Sequence, residues 1–240
     1  MAPFGPLRRL LKRGGGRGRG GGAEAALKSD FESRRLRMVE TQIVARGVRD
    51  ENVLSALRKV PRHLFVPSDL RTHAYDDEPL PIGEGQTISQ PYIVAYMTEL
   101  LSLGRDDKVL EVGTGSGYQT AVLAEIVREV YSVEMIDALS RRARATLDGL
   151  GYWNVVFRTG DGTLGWSEHA PFDAILVAAA PDEIPSALES QLKVGGRMAI
   201  PVGSARQELV RVVRTKLGFE RDRLLSVRFV PLISGPEWRR

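Results

Sequence analysis

From Lys108 to Val202 the chain repeats one alternation. Short apolar runs, KVLEV (108–112), VYSVE (130–134), VVFRT (155–159), DAILVAA (173–179) and GRMAIPV (196–202), recur along it. Between the first three, and again before the last, lie segments with helical spacing: GYQTAVLAEIV (117–127), DALSRRARATLDGL (137–150) and EIPSALESQL (183–192). Near-continuous apolar strands joined by helices predict an α/β, Rossmann-like fold: a mostly parallel central sheet with helices on both faces. Beyond it, ELVRVVRT (208–215) and LLSVRFVPL (224–232) alternate more strictly, which predicts an antiparallel C-terminal end.

Upstream of Lys108 the pattern is helical. SDFE (29–32) matches a capping box, with Ser29 as cap and Glu32 three residues on. The predicted helix turns Leu36, Val39, Ile43 and Val44 to one side and stops at Gly47. Asp50 is a good cap for a second short helix to about Lys59. Pro61 and Pro67 break that helix, and a loop is expected as far as Gly85. Pro91 suits the first turn of a third helix, with Ile93, Met97, Leu100 and Leu101 on its apolar face. The expected organisation is a disordered tail over 1–28 and one folded unit over 29–240. That unit divides into a helical, substrate-side segment (29–105) and a ligand-binding core (106–240).

Composition narrows the functions. There is no cysteine, so disulfides, thiol catalysis and cysteine metal sites are excluded. A reducing compartment suits such a chain, and a cytoplasmic location is expected. No apolar run approaches the roughly 20 residues of a membrane span. The net charge of +4 is uneven. Residues 1–22 hold Arg8, Arg9, Lys12, Arg13, Arg17 and Arg19 and no acid, which leaves 28 basic against 30 acidic residues elsewhere. The folded body therefore gives no charge-based reason to expect nucleic acid. The tail carries GGGRGRGGG and is read as a disordered extension; a transit peptide, an RNA-touching arm and a misassigned start remain alternatives. His63, His73 and His169 are widely spaced and form no ligand motif, so no metal is expected. Trp153 and Trp166 are read as core or local packing, with a peptide groove as the other use for these two and for Trp238.

The chemistry concentrates where strands end. The first strand runs into EVGTGSGYQTA, with Gly113, Thr114, Gly115, Ser116 and Gly117 at a strand-to-helix turn. Glycines there let a backbone approach a ligand, and helix amides point at it. The spacing departs from G-x-G-x-x-G, because the third glycine comes one residue early. Glu111 precedes the turn, and a carboxylate suits a cationic group better than a pyrophosphate. Glu134 lies 21 residues past Gly113, the place for an acceptor of both ribose hydroxyls. Asp161, followed by Gly162, ends the third strand and is an acceptor for an adenine amino group. Bland readings exist for each: a tight turn, a helix cap and a turn residue. In register at three consecutive strand ends, they point to S-adenosylmethionine. One stretch fits none of this. IGEGQTISQPY (82–92) is polar and holds Ser89, either a cap for the helix at Pro91 or a contact to chemistry.

At this point the sequence resembles the protein-L-isoaspartate (D-aspartate) O-methyltransferases, over roughly Ser33 to Leu232. The runs that carry the resemblance include RGVRDENVLSALRKVPRHLFVP, AYDDEPLPIGEGQTISQPYIVAYMTELL, VLEVGTGSGYQTAVLAEI, GDGTLGW, APFDAILVAAA and LKVGGRMAIPVG. The glycine motif alone would indicate only the class I S-adenosylmethionine-dependent superfamily; GQTISQP is far more specific. The resemblance implies that Ser89 belongs to the active site and that Thr87 and Ile88 lie over cofactor and substrate. It implies cofactor contacts at Glu111, Gly113, Gly115, Glu134 and Asp161, and a closing segment at Phe229 to Leu232. The implied reaction is methyl transfer to the carboxylate of an isoaspartyl or D-aspartyl residue, with repair through a succinimide. The implied partners are damaged proteins and peptides. A monomer is expected separately, since the sequence shows no coiled-coil seam and no other assembly signal. Two alternatives stand beside this reading. One is the same fold modifying an aspartate in a peptide precursor, or another acceptor. The other is a binding module that touches RNA through its tail.

Overall fold

The computed structural model describes residues 20–235, with side chains from Ser29 onward. Helix α1 covers Gly20–Met38, so it begins ahead of the expected cap and passes through Ser29. The Ser29 carbonyl accepts a bond from Ser33 Oγ at 2.9 Å, as a residue inside a helix does. The run AEAALK is made of strong helix formers and carries the helix back past the capping box. The first part of the expected disordered tail, together with Trp238, lies outside the described residues. After Met38 the backbone passes through a π turn (Val39–Ile43) and a 3-10 turn (Val44–Arg46). Gly47, at φ 100°, ends it as expected. Val39 and Ile43 are buried, whereas Leu36 is exposed.

Helix α2 (Glu51–Lys59) starts at its expected cap. Asp50 accepts from the backbone N–H groups of Asn52 and Val53, which are otherwise orphaned in a first turn. The expected loop before Gly85 instead contains a hairpin, β1 (Leu80–Gly83) with β2 (Gln86–Ile88). Its turn needs three consecutive positive φ values, at Gly83, Glu84 and Gly85. Leu80, Ile82 and Ile88 are its buried residues, pointing into the core. Helix α3 (Pro91–Leu100) follows, with proline in its first turn.

The main sheet then forms. Its strands are β3 (Lys108–Val112), β4 (Glu129–Glu134), β5 (Val155–Thr159), β6 (Phe172–Val177), β7 (Leu192–Val202), β8 (Gln207–Thr215) and β9 (Gly218–Val227). They lie in the order β5-β4-β3-β6-β7-β8-β9. Neighbours pair in parallel through β7, and β8 and β9 add antiparallel pairs, as the sequence predicts. The connecting helices are α4 (Tyr118–Ala124), α5 (Asp137–Gly149) and α6 (Ser186–Ser190). The last is shorter than its sequence pattern, because Pro185 sets the helix start and the chain enters β7 at Leu192.

The two faces are covered unequally. Residues of α1 to α5, among them Met38, Leu57, Val94 and Leu139, pack on Val109, Ala174 and Leu176. The other face, with Leu110, Ile175 and Met198, is closed by Leu188 of α6, by Trp166 and by Phe172. Trp166 is thus core, as expected, while Trp153 is 90% exposed, against expectation. The last predicted strand also differs. The strand begins earlier, at Gly218, and ends at Val227; residues 228–235 leave the sheet as a strap. Gln207 holds the strap by accepting from Phe229 N (2.6 Å) and donating to Phe229 O (3.1 Å). Ala180 then exchanges two 2.8 Å backbone bonds with Val230 and Leu232.

Candidate active site

Strand β3 pairs with β4 on one side and β6 on the other, so the chain order reverses at its C-terminal end. Open α/β sheets bind ligands at such a switch point. A cleft of about 760 Å³, open mouth included, lies there. One wall is made of strand ends: Gly113 to Ser116 after β3, Glu134 to Ile136 at β4, Gly162 after β5, and Ala178 and Ala179 after β6. The other wall is made of Gln86 to Ser89 and of the strap residues Val230 to Ile233. A second cleft of about 950 Å³ runs alongside, lined by residues that include Pro79, Gln90, Ile93, Arg228 and Phe229. Thr87, Ser89, Ala178 and Val230 line both.

The glycine turn has two distinct parts. Gly113, Gly115 and Gly117 all take positive φ, at 94°, 54° and 86°. Gly113 and Gly115 face the cleft. Gly117 does not; it is the left-handed cap of α4 and lies against α5. A Cβ there would sit 2.7 Å from Leu147 Cδ1 and 3.1 Å from Ala143 Cβ. Its requirement for glycine is therefore one of packing.

The three acidic residues sit in three different environments. Glu134 lines the cleft, and each of its oxygens accepts one backbone N–H: Gly115 on Oε2 at 2.8 Å and Ile136 on Oε1 at 2.9 Å. Burial pushes its pKa upward against these bonds. A carboxylate offers about four lone-pair sites, so roughly two remain for a diol. Glu111 lies behind the turn, wholly buried, and does not line the cleft. Its Oε2 accepts from Thr120 Oγ1 (2.6 Å) and Ser132 Oγ (2.5 Å), while Oε1 has no partner. Ser132 is in turn 2.5 Å from the hydroxyl of Thr114, which does line the cleft. Burial raises the Glu111 carboxyl to about 8 against those two bonds. Asp161 caps a short 3-10 turn. Its Oδ1 takes both Thr163 N and Thr163 Oγ1, and its Oδ2 takes Gly235 N at 2.9 Å, so it ties the strap to the end of β5. Burial opposes, but these bonds hold it below the usual carboxylate range.

Ser89 is not the cap of α3. The cap position is Gln90, whose side chain makes no cap bond. Ser89 stands one residue before that cap, half-buried, on the wall shared by the two clefts. None of the three histidines lines either cleft. His63 bonds Tyr75 and stacks on Phe31 at 4.1 Å, and burial lowers its pKa to about 4. Among the described residues no group of three or more histidine and acidic side chains is placed to hold a metal. The sequence reading missed Ala178, Ala179, Met135 and Ile136. Met135 and Ile136 come just after one predicted strand and Ala178 and Ala179 end another, so the strand-end rule was signal enough.

A doubly wound sheet of this order, with a glycine turn at its switch point and a carboxylate one strand over, defines the class I S-adenosylmethionine-dependent methyltransferase fold. Residues 33–237 match the sequence profile of the protein-L-isoaspartate(D-aspartate) O-methyltransferases, and the chain belongs to that family. A relative named protein-L-isoaspartate O-methyltransferase from Picosynechococcus is 57% identical over 198 residues, covering 82% of this chain and 89% of its own. One of the same name from Syntrophus aciditrophicus is 54% identical, covering 87% and 97%. Among solved structures, a protein-L-isoaspartate O-methyltransferase superposes with a TM-score of 0.75 at 29% identity, over 85% of this chain and 66% of that one. A Plasmodium falciparum family member in complex with S-adenosyl-L-homocysteine gives 0.73 at 26% identity, over 83% and 98%.

Proposed function

We propose that this chain transfers a methyl group from S-adenosylmethionine to the carboxylate of isoaspartyl or D-aspartyl residues in damaged proteins. The observation that carries this reading is the wall shared by two clefts. One cleft has the glycine turn and Glu134 and suits a nucleoside with a cationic tail. The other opens beside it, and Ser89 borders both.

S-adenosylmethionine, when bound, supplies a methyl on a sulfonium, whose C–S bond breaks with its electron pair going to sulfur as a carboxylate oxygen bonds the methyl carbon. Glu134 would accept from the ribose hydroxyls through the lone pairs its backbone partners leave free. The turn from Gly113 to Ser116 would lie against the amino-acid portion. Gly162 and Asp161 would hold the adenine end; Asp161 keeps one acceptor site beyond Thr163 and Gly235. Glu111 would act from behind the turn, through Ser132 and Thr114. Thr87 and Ile88 would cover the reacting groups. A substrate carboxylate, α-carboxyl or side chain, has a pKa of about 3.3–3.9 and is already ionised at neutral pH, so no base is required. What the protein must contribute is alignment, worth on the order of 7–11 kcal/mol when two reactants are held in line. Ser89 would contribute one hydrogen bond from its hydroxyl to the carboxylate.

A cysteine-free chain suits a reducing setting, and the proposed location is the cytoplasm, with the chain acting as a monomer. No helix among the described residues is long and apolar enough to cross a membrane. The test is transfer of labelled methyl to two peptides that differ only in isoaspartyl or aspartyl linkage. Transfer to the isoaspartyl peptide alone is expected, with a loss of turnover in Ser89→Ala. Equal transfer to both, or to neither with cofactor still bound, would assign the site to a different acceptor.

A further inference from the structure

We propose that Asp77 is the positioning residue that fixes Ser89 on the shared wall, an inference that rests on the reading of Ser89 as the substrate contact. The start of α3 poses a problem. Pro91 has no N–H, and Gln90 supplies no side-chain cap. The next N–H, that of Tyr92, is accepted by Asp77 Oδ1 at 3.1 Å, from 15 residues upstream. The other oxygen, Oδ2, accepts from Gln90 Nε2 at 2.8 Å and from Arg46 Nη1 at 2.6 Å. Arg46 also lies 3.5 Å from the centre of the Tyr92 ring, which ties it to the same helical turn.

One carboxylate therefore does the capping that the helix lacks locally. Ser89 sits between two anchors. On one side Ile88 pairs with Leu80 in the hairpin. On the other side Asp77 holds Gln90 and Tyr92. Asp77 is itself held from behind. Arg62, wholly buried, donates from Nε to Ala74 O at 2.7 Å and from Nη2 to Glu78 O at 3.5 Å, bracketing the residues that carry Asp77. The chain of contacts runs from the core through Asp77 to the turn that presents Ser89 to both clefts. Asp77 lines neither cleft. It acts through Ser89 and is not a catalytic residue.

The experiment is a double-mutant cycle read by steady-state methyl transfer to an isoaspartyl peptide, with S-adenosylhomocysteine affinity measured by calorimetry on the same proteins. Asp77→Ala is expected to lower kcat/KM by on the order of 10²-fold, the scale of a 1 Å misplacement. Cofactor-product affinity is expected to stay within about threefold, since Asp77 touches none of that cleft. Asp77→Asn should fall between, because it can still accept from Tyr92 N but turns an NH2 toward Gln90 and Arg46. In the Ser89→Ala background, adding Asp77→Ala should change kcat/KM by less than about threefold. Full multiplication of the two defects, or an equal loss of S-adenosylhomocysteine affinity, would overturn the proposal. If Ser89→Ala cuts turnover and Asp77→Ala does not, only the role of Asp77 fails. If Ser89→Ala leaves turnover intact, the reading of Ser89 fails and takes this inference with it.

Discussion

The two walls of the site are held by different means. The strand-end wall rides on parallel pairing: β3 is fixed on both sides, by β4 and by β6, through continuous ladders. The loop wall has a short hairpin and two backbone bonds from Ala180 to the strap, and for the rest it hangs on individual side chains. Asp77 holds the start of α3, Gln207 holds Phe229, and Asp161 holds Gly235. A ladder spreads load over many backbone bonds, whereas a single side chain does not. Changes on the strand-end side should therefore cost folding or cofactor affinity. Changes on the loop side should cost turnover while the protein stays folded.

The largest expected effect is one of pH on the strand-end side. Burial raises Glu111 from the usual 4.5 to about 8, so between those values the folded chain keeps a proton that the unfolded chain releases. The associated stability is fully present below pH 4.5 and is lost as pH rises through 8. The loss is about 3–5 kcal/mol for wild type relative to Glu111→Gln, which cannot ionise. Urea unfolding of both proteins from pH 5 to 9 measures it, and parallel pH profiles would break the argument. Next is Gly117→Val. The added carbons meet Leu147 and Ala143, and the backbone is held at φ 86°. A loss of about 3 kcal/mol in stability is expected, read as a lower Tm. Glu134→Ala should follow at about 2 kcal/mol, a roughly 30-fold weaker S-adenosylhomocysteine by calorimetry, because two amides lose their acceptor along with the ligand. The smallest effect on folding belongs to the loop wall. Gln207→Ala should cost about 1 kcal/mol or less in stability. Its kcat/KM for an isoaspartyl peptide should nonetheless fall severalfold, as the strap loosens over both clefts. A large drop in Tm with unchanged turnover would erase the distinction between the walls.

What the sequence made legible follows the same division. The strands of the central sheet are near-continuous apolar runs, and their order of appearance sets the strand ends that carry Gly113, Glu134 and Gly162. Local chemistry also reads well: Asp50 caps α2, and Gly47 stops the turns before it. The hairpin before Ser89 has the pattern of a loop in the sequence, because its strands span only four and three residues and its turn is polar. Its clue was the GEG run, which permits the three positive φ values. The start of α1 lies ahead of the capping box because the propensity of AEAALK extends the helix through it. Glu111 gave no sign that it would point behind the turn, since a strand residue beside a glycine turn can face either side. Asp77 was missed for a more basic reason. A cap supplied from 15 residues away has no local signature, and only the folded chain reveals it.

Among the described residues, strand β9 pairs only with β8 and forms one edge of the seven-stranded sheet. Glu220, Arg221, Asp222 and Arg223 stand exposed along it in succession, and a bulge opposite Leu209 and Val210 disturbs its line. An open edge is a template for adding foreign strands, and consecutive charges with a bulge make such addition costly. A protein whose proposed clients are damaged chains meets loose β segments as part of its work. The charges and the bulge at this border work against such segments zipping onto the sheet.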